Sequence, residues 1–383
     1  MVEHLEAVRE GCEVFGQKIG AAHLAGMAGL LHDMGKNTNS FREYISKAVE
    51  NPNHPPAKGS VDHSTAGGKW IYERYHSLKT SEDKIVAEWI ANCVISHHQG
   101  LRDYFSPEGE SPFLDRVVKK REGMEEYGQA VAAFLTEWPI PMLDDYYGHA
   151  KKELRQLAAR RKKMKLSEFS FSLLIKYIFS CLIDADRTDS RQFEEGRREG
   201  WSRDHSPFFQ RSYEALLQHL EAKNKGDHAE HPINQLRRSM SEACDRFASN
   251  PSGIYTLSIP TGGGKTLASL RYALKHAVEH GKERIIYIVP YTTVIEQNAS
   301  EIRSILNEDD QILEHHSNVI DQFDPVSSAK DYDLAKERLS LARDNWDRPL
   351  IFYDNGSIPK LFLCKRDPKR PTIASFDQCG DCF

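Results

Sequence analysis

A chain of 383 residues, 39% of them hydrophobic, can build two domains or slightly more, each with its own core. Its formal net charge of -5 argues against a globally basic nucleic-acid binder, although a local patch stays open. No apolar run approaches the ~20 residues that span a bilayer, and the opening MVEHLEAVREG is too charged for a secretory signal. The expectation is a soluble, cytoplasmic protein with no membrane partner.

From residue 1 to about 190 apolar residues recur mainly at helical spacing, which predicts an all-α half. His4 lies in the first amphipathic segment, EHLEAVREGCEVFGQKIG. The next, HLAGMAGLLHDMGK, ends in the adjacent pair His32-Asp33, with Gly35 placed to cap the helix and Lys36 directly after it. A carboxylate there has two oxygens with which to bridge two ions. His63 follows Asp62 in VDHSTAGGKW, His97-His98 close IVAEWIANCVISHHQG, and Asp186 sits in FSLLIKYIFSCLIDADRTDS between Asp184 and Asp189. Two loops, NPNHPPAKGSVDHS and QGLRDYFSPEGESPFLD, adjoin these positions. Cys12, Cys93 and Cys181 fall in apolar helical patterns and are expected to be buried free thiols. Lys151 to Lys165, KKELRQLAARRKKMK, carries eight Lys or Arg against one Glu on a helix-forming segment. It is either a solvated face or a phosphate-tracking wall beside the metal site.

The order H, HD, H, HH, D, carried by LLHDMGK, GSVDHSTAGGK, SHHQG and DADRTDS, resembles the HD phosphohydrolase domain. It is more similar still to the HD nuclease of the CRISPR-associated helicase-nuclease of type I systems. The resemblance implies that His4, His32, Asp33 and Asp186 hold one divalent ion, and Asp33, His63, His97 and His98 a second. Asp186 aligns better with that pattern than Asp184 or Asp189. Such His-rich sites suit Mn, Fe, Co, Ni or Zn better than Mg. Asp33 and Lys36 are the candidate catalytic residues, the lysine stabilising a phosphate in the transition state.

Residues 191–232, polar and dotted with charge, read as a connection. NQLRRSMSEACDRFA then predicts a helix, and GIYTLSIPTGGGKTLASLRYALKHAVEHG predicts a strand, a glycine-rich turn and a helix. Thr261, Gly262, Gly263, Gly264, Lys265 and Thr266 would bind ATP, the backbone N–H groups cradling phosphates, Lys265 reaching the terminal ones and Thr266 the Mg ion. PTGGGKT resembles the phosphate loop of superfamily 2 helicases. ERIIYIVPYTTVIEQNA predicts a second strand, loop and helix, so residues 233–352 form part of an α/β RecA-like helicase lobe.

Past Phe352 the sequence loses all period and carries three of the seven cysteines. Codons for Tyr353 to Lys360, read one base later, admit Thr-Thr-Met-Val-Gln-Phe-Leu, which resembles a helicase continuation. Residues 353–383 are therefore expected to be an out-of-frame, disordered tail in which Cys379 and Cys382 are chance neighbours. Without an acidic pair and a second lobe, ATP binding would be weak and unwinding lost. The resulting expectation is an all-α HD domain over residues 1–190 acting as a metal-dependent nuclease on single-stranded DNA, with an RNA-guided CRISPR surveillance complex as the partner implied by resemblance. Its alternatives are a nucleotide phosphohydrolase and a non-catalytic DNA- or complex-binding remnant.

Overall fold

The computed structural model describes residues 1–354 except 52–55, 57–60, 78–79, 121–123, 195, 197–199, 202–203, 226–229 and 316–347. The out-of-frame expectation and Cys379/Cys382 fall largely or wholly beyond Asp354, outside the described residues. The chain divides into two compact units, residues 1–202 and 203–383.

The first unit is helical: α1 Val2–Gln17, α2 Ala22–Leu31, α3 Asn39–Glu50, α4 Thr65–Tyr75, α5 Ser81–Ser96, the single turn α6 Pro112–Leu114, α7 Tyr127–Glu137, α8 Ile140–Lys163 and α9 Phe169–Glu194. Its axis is α2, whose residues are buried all the way round apart from His23. A helix with no polar face belongs in the centre of a fold. Its first turn lies inside the protein too, and Glu153 of α8 accepts hydrogen bonds from the N–H groups of His23 and Leu24, both at 3.0 Å. These are donors that a helix cannot satisfy by itself.

Around this axis α1 buries Leu5, Val8 and Cys12 at helical spacing, and α9 buries Ile178, Cys181, Leu182 and Ala185. Cys12, Cys93 and Cys181 are free and buried, as their apolar setting predicts. The tightest approach is that of α4. A Cβ on Gly67 would stand 1.9 Å from the Leu31 carbonyl oxygen, and one on Gly68 would stand 2.5 Å from the Ile95 side chain. The α4 backbone is thereby pressed against the C-terminal ends of both α2 and α5.

The second unit contains α10 Ser206–Asn224, α11 Pro232–Phe247, α12 Lys265–Glu279 and α13 Thr292–Leu306. Its strands are β1 Ile285–Val289, β2 Ile312–His315 and β3 Leu350–Asp354, in the order β1-β3-β2 and all parallel. Ile285 and Ile312 both pair with Leu350. Phe209 and Leu216 of α10 pack with Leu270, Leu274, Ile295, Ile302 and Phe352. Segments expected as strand–loop–helix at 284–306 and helix at 234–247 form as such.

Two local expectations do not hold. The stretch 191–232 is no plain connection, because α9 runs on to Glu194 and α10 buries Phe208, Phe209, Ser212 and Leu216. Those residues follow a helical period that the surrounding charge obscured. GIYTLSI forms no strand, and Ile254, Tyr255 and Leu257 stand exposed. A strand needs a neighbour for its backbone groups, and none of β1, β2 or β3 pairs with this segment.

Replacing Gly67 by Ala should lower stability by about 1–3 kcal/mol, the usual cost of overpacking. A thermal melt of the variant beside the parent chain measures it, and an unchanged midpoint would contradict the close approach of α4 to Leu31.

Candidate metal centre

The core helix α2 stops at Leu31 and delivers His32 and Asp33 into the interior, where they are 0% and 1% exposed. Gly35 does not cap this helix. The chain passes through a 3-10 turn, Met34–Asn37, and Gly35 is left bare because a Cβ there would meet the His63 backbone at 2.3 Å. The glycine sets how closely His63 approaches. His97 caps α5, His98 follows it, His4 lies in the first turn of α1, and Asp186 lies far along α9.

These seven residues form two groups that share Asp33: His4, His32, Asp33 and Asp186, and Asp33, His63, His97 and His98. Within each group the ligand atoms lie within 4.8 Å of one another. Asp33 Oδ2 is 3.2 Å from His32 Nε2 and 3.5 Å from His4 Nε2. Its Oδ1 is 3.6 Å from His97 Nε2 and 3.8 Å from His63 Nε2. One carboxylate therefore offers one oxygen to each group.

Ring orientation is fixed from behind. His32 Nδ1–H donates to the Gly29 carbonyl and His97 Nδ1–H to the Val94 carbonyl, each at 2.7 Å, which turns both Nε2 atoms toward Asp33. His4 Nδ1 lies 2.7 Å from Asp189, so this aspartate is a partner behind the ligand and Asp186 is the one that reaches the group. Asp186, which the resemblance favoured, lies 3.5 Å from both His4 Nε2 and His32 Nε2, and Asp189 stands one helical turn on along the same face.

The electrostatics of the two groups differ. Burial opposes charge on His4, but Asp186, Asp189 and Asp33 outweigh it and lift its pKa to about 11. The same contest lifts His32 to about 9, with Asp33 and Asp186 as the carboxylates. Burial would push Asp33 up, yet His32, His4 and His97 hold it well below the carboxylate range. In the other group burial dominates: His98 falls to about 4, aided by His97 and His63, and His63 is lowered despite Asp33.

The donor set fits divalent ions. Asp33 Oδ1 and His97 Nε2 are buried and make no hydrogen bond. A buried acceptor without a donor is costly unless a cation meets it. The Lys36 ammonium pairs with Asp33 Oδ2 and lies over the Phe41 ring, which puts its charge at the edge of the centre.

A carboxylate that sequence reading passed over secures His63. Asp62 accepts from the N–H groups of Ser64 and Thr65 at the start of α4, and pairs with Arg116 and Lys120. Arg116 also donates to Thr65 Oγ1 at 2.8 Å and Ser64 Oγ at 2.7 Å. The basic stretch lies elsewhere. Lys151 and Arg155 pair with Asp83 and Glu82 at the start of α5, about 21 Å along that helix from His97 at 1.5 Å per residue.

In the second unit Gly262 and Gly264 take φ of +79° and +80°, and α12 begins at Lys265. Thr261 to Thr266 thus turn into a helix N-terminus whose free N–H groups suit phosphate. Arg237 of α11 donates to the Gly262 carbonyl at 2.8 Å, and Thr266 Oγ1 to Asn298 at 3.4 Å.

Two outcomes follow for the centre. At pH 7.5 loading of the His4 group should release about two protons, from His4 and His32, whereas His63 and His98 should release almost none. The affinity of the first group then rises as pH increases toward 9. Calorimetry in buffers of different ionisation enthalpy reads the difference. Replacing Arg116 by Ala, which removes a donor to Asp62, Ser64 and Thr65 beside His63, should weaken the His63-group ion and spare the other. Titration with Mn followed by electron paramagnetic resonance measures the stoichiometry, and loss of both ions together would contradict the assignment.

The Cas3 HD domain family matches residues 6–162, and the DEAD/DEAH box helicase family matches residues 240–334. The first match covers five of the seven clustered ligands and omits His4 and Asp186, which the fold brings to them. A CRISPR-associated nuclease/helicase Cas3 of Haloferax volcanii is 24% identical over 311 residues, covering 72% of this chain. This chain spans only 32% of that relative's length. Crystal structures of T. fusca Cas3 with ATP and with AMPPNP superpose on 92% of this chain and 41% of their own. Their TM-scores are 0.45 and 0.44, at 16% and 15% identity. The two family matches stand in this order along one chain, an HD region ahead of a helicase region, and in this the chain is similar to Cas3 helicase-nucleases.

Proposed function

We propose that the first unit is a metal-dependent nuclease that cuts single-stranded DNA in CRISPR defence, at the centre organised by Asp33. The observation that carries this is the pair of His/Asp groups sharing a single buried carboxylate. When bound, two divalent ions of the Mn, Fe, Co or Ni kind supply Lewis acidity and an acidified water. The chain's own residues do the rest. Nδ1 hydrogen bonds to Gly29 and Val94 hold His32 and His97 in the tautomer that presents Nε2. Lys36, 24% exposed, offers its ammonium to a phosphate oxygen on the open side. Burial of His32, Asp33 and His97 keeps bulk water from competing for the ligand atoms.

For the second unit the proposal is weak ATP binding at Thr261–Thr266 without unwinding. Support comes from the left-handed glycines of the phosphate loop and from the exposure of Ile254, Tyr255 and Leu257, with no strand among the described residues paired beneath the loop. The RNA-guided surveillance complex is the proposed partner, by likeness to the relative named above.

The test is cleavage of a labelled single-stranded DNA circle by the full chain with Mn or Ni, with and without EDTA, alongside ATP hydrolysis. Asp33→Ala should reduce cutting by more than a hundredfold, beyond the ~10–100-fold cost of losing an outer partner. EDTA should abolish it, and ATP turnover should be negligible. Turnover of a nucleotide with no DNA cutting would replace this function with nucleotide hydrolysis.

A further inference from the structure

The turn between α8 and α9 gathers two features that the metal centre does not use. The last turn of α8 carries Arg160, Arg161, Lys162 and Lys163, and Lys165 follows with a φ of +55°. Among the described residues no carboxylate pairs with Arg160, Lys162, Lys163 or Lys165, whereas Arg161 is held by Glu168 at 2.8 Å and lies over the Phe171 ring. Beside these cations stand exposed apolar side chains: Met164 at 56%, Phe169 at 62% and Leu173 at 52%. Phe169 and Leu173, four residues apart, share one face of α9.

Cations at a helix C-terminus are favourable in themselves, since they offset the helix dipole. That does not account for an exposed aromatic ring and apolar stripe beside them. Charge alone would also suit an acidic protein surface. The combination of unpaired cations with a ring free on its face is what a single strand of nucleic acid requires, phosphates on the cations and a base on the ring.

We infer that the α8–α9 turn is a second, remote contact for single-stranded nucleic acid, with Arg160, Lys162, Lys163 and Lys165 on phosphates and Phe169 under a base. This rests on the nuclease function proposed above. Phe169 and Asp186 lie on the same helix, 17 residues apart, about 25 Å at 1.5 Å per residue. At 3.4 Å per nucleotide of stacked strand that is roughly seven nucleotides. The contact therefore anchors strands of about that length or more while their scissile bond lies at the metals, and shorter strands cannot use it.

The experiment uses the full chain. Binding of labelled oligothymidylate of 20 nucleotides is measured in EDTA across a salt series, for the parent, Lys162→Gln/Lys163→Gln/Lys165→Gln, Phe169→Ala and Phe169→Tyr. Circular dichroism checks the fold of each. In parallel, Mn-dependent hydrolysis of bis(p-nitrophenyl) phosphate, too small to reach the turn, reads the metal centre. The triple variant should bind at least tenfold more weakly, with a log-log salt slope shallower by about 2, given roughly 0.7 per phosphate contact on single strands. Phe169→Ala should lose at least fivefold and Phe169→Tyr should retain affinity. In cleavage, the parent should show a lower KM for a 12-mer than for a tetramer at similar kcat, and the triple variant should erase that difference. Unchanged affinity and slope in the triple variant would overturn the proposal. Failure of the parent to hydrolyse the small diester would instead count against the nuclease function, and the binding comparison would still decide the remote contact.

Discussion

A carboxylate that is 1% exposed governs this molecule. Taking Asp33 out of water costs several kcal/mol unless positive charge meets it. Four histidines and Lys36 stand around it, two rings toward each oxygen. None of these neighbours is close in sequence except His32 and Lys36. The fold is therefore a device for bringing α1, α2, α4, α5 and α9 to one point. Packing without side chains at Gly67 and Gly35 makes that convergence possible, because any Cβ there would hold α4 and the His63 backbone away.

The same burial separates the two halves of the centre. Three carboxylates, Asp33, Asp186 and Asp189, face His4, and two of them face His32, so both rings hold protons in the absence of a stronger cation. At His63 and His98 burial wins over the pull of Asp33, with His97 adding to it, and favours the neutral rings. Identical side chains thus present opposite charge states a few ångströms apart. The cause is how closely the acids approach each ring: Asp33 and Asp186 come within bonding reach of His4 and His32, whereas at His98 they act only at longer range and burial prevails.

Much of the helical unit was legible because its apolar residues keep helical period, and because every ligand but Asp186 lies at or just outside a helix end. The grouping of those ligands followed from a family resemblance and not from spacing. What stayed hidden was long-range or obscured by composition. Asp62 and Arg116 are 54 residues apart, and nothing local marks their pairing. α10 was hidden under charge, although Phe209 and Leu216 sit on one face. Composition carries no position, so the basic stretch could be a solvated face or a wall beside the metals, and the pairing of Lys151 and Arg155 with Asp83 and Glu82 places its start at the other end of α5. The expected strand at 254–259 failed for the converse reason: its sequence is strand-like, but a strand is a property of two segments.

Sharing one carboxylate between a protonated half and a neutral half has a practical consequence for any preparation of this protein. Under the two-ion proposal the His4 half must give up protons to take its ion, so at lower pH it lags behind when metal is scarce. A half-loaded population then forms, fully folded and metal-containing but lacking the second ion that the chemistry needs. Total metal content would overstate the active fraction, and two batches with equal metal could differ widely in specific activity according to the pH at which they were loaded.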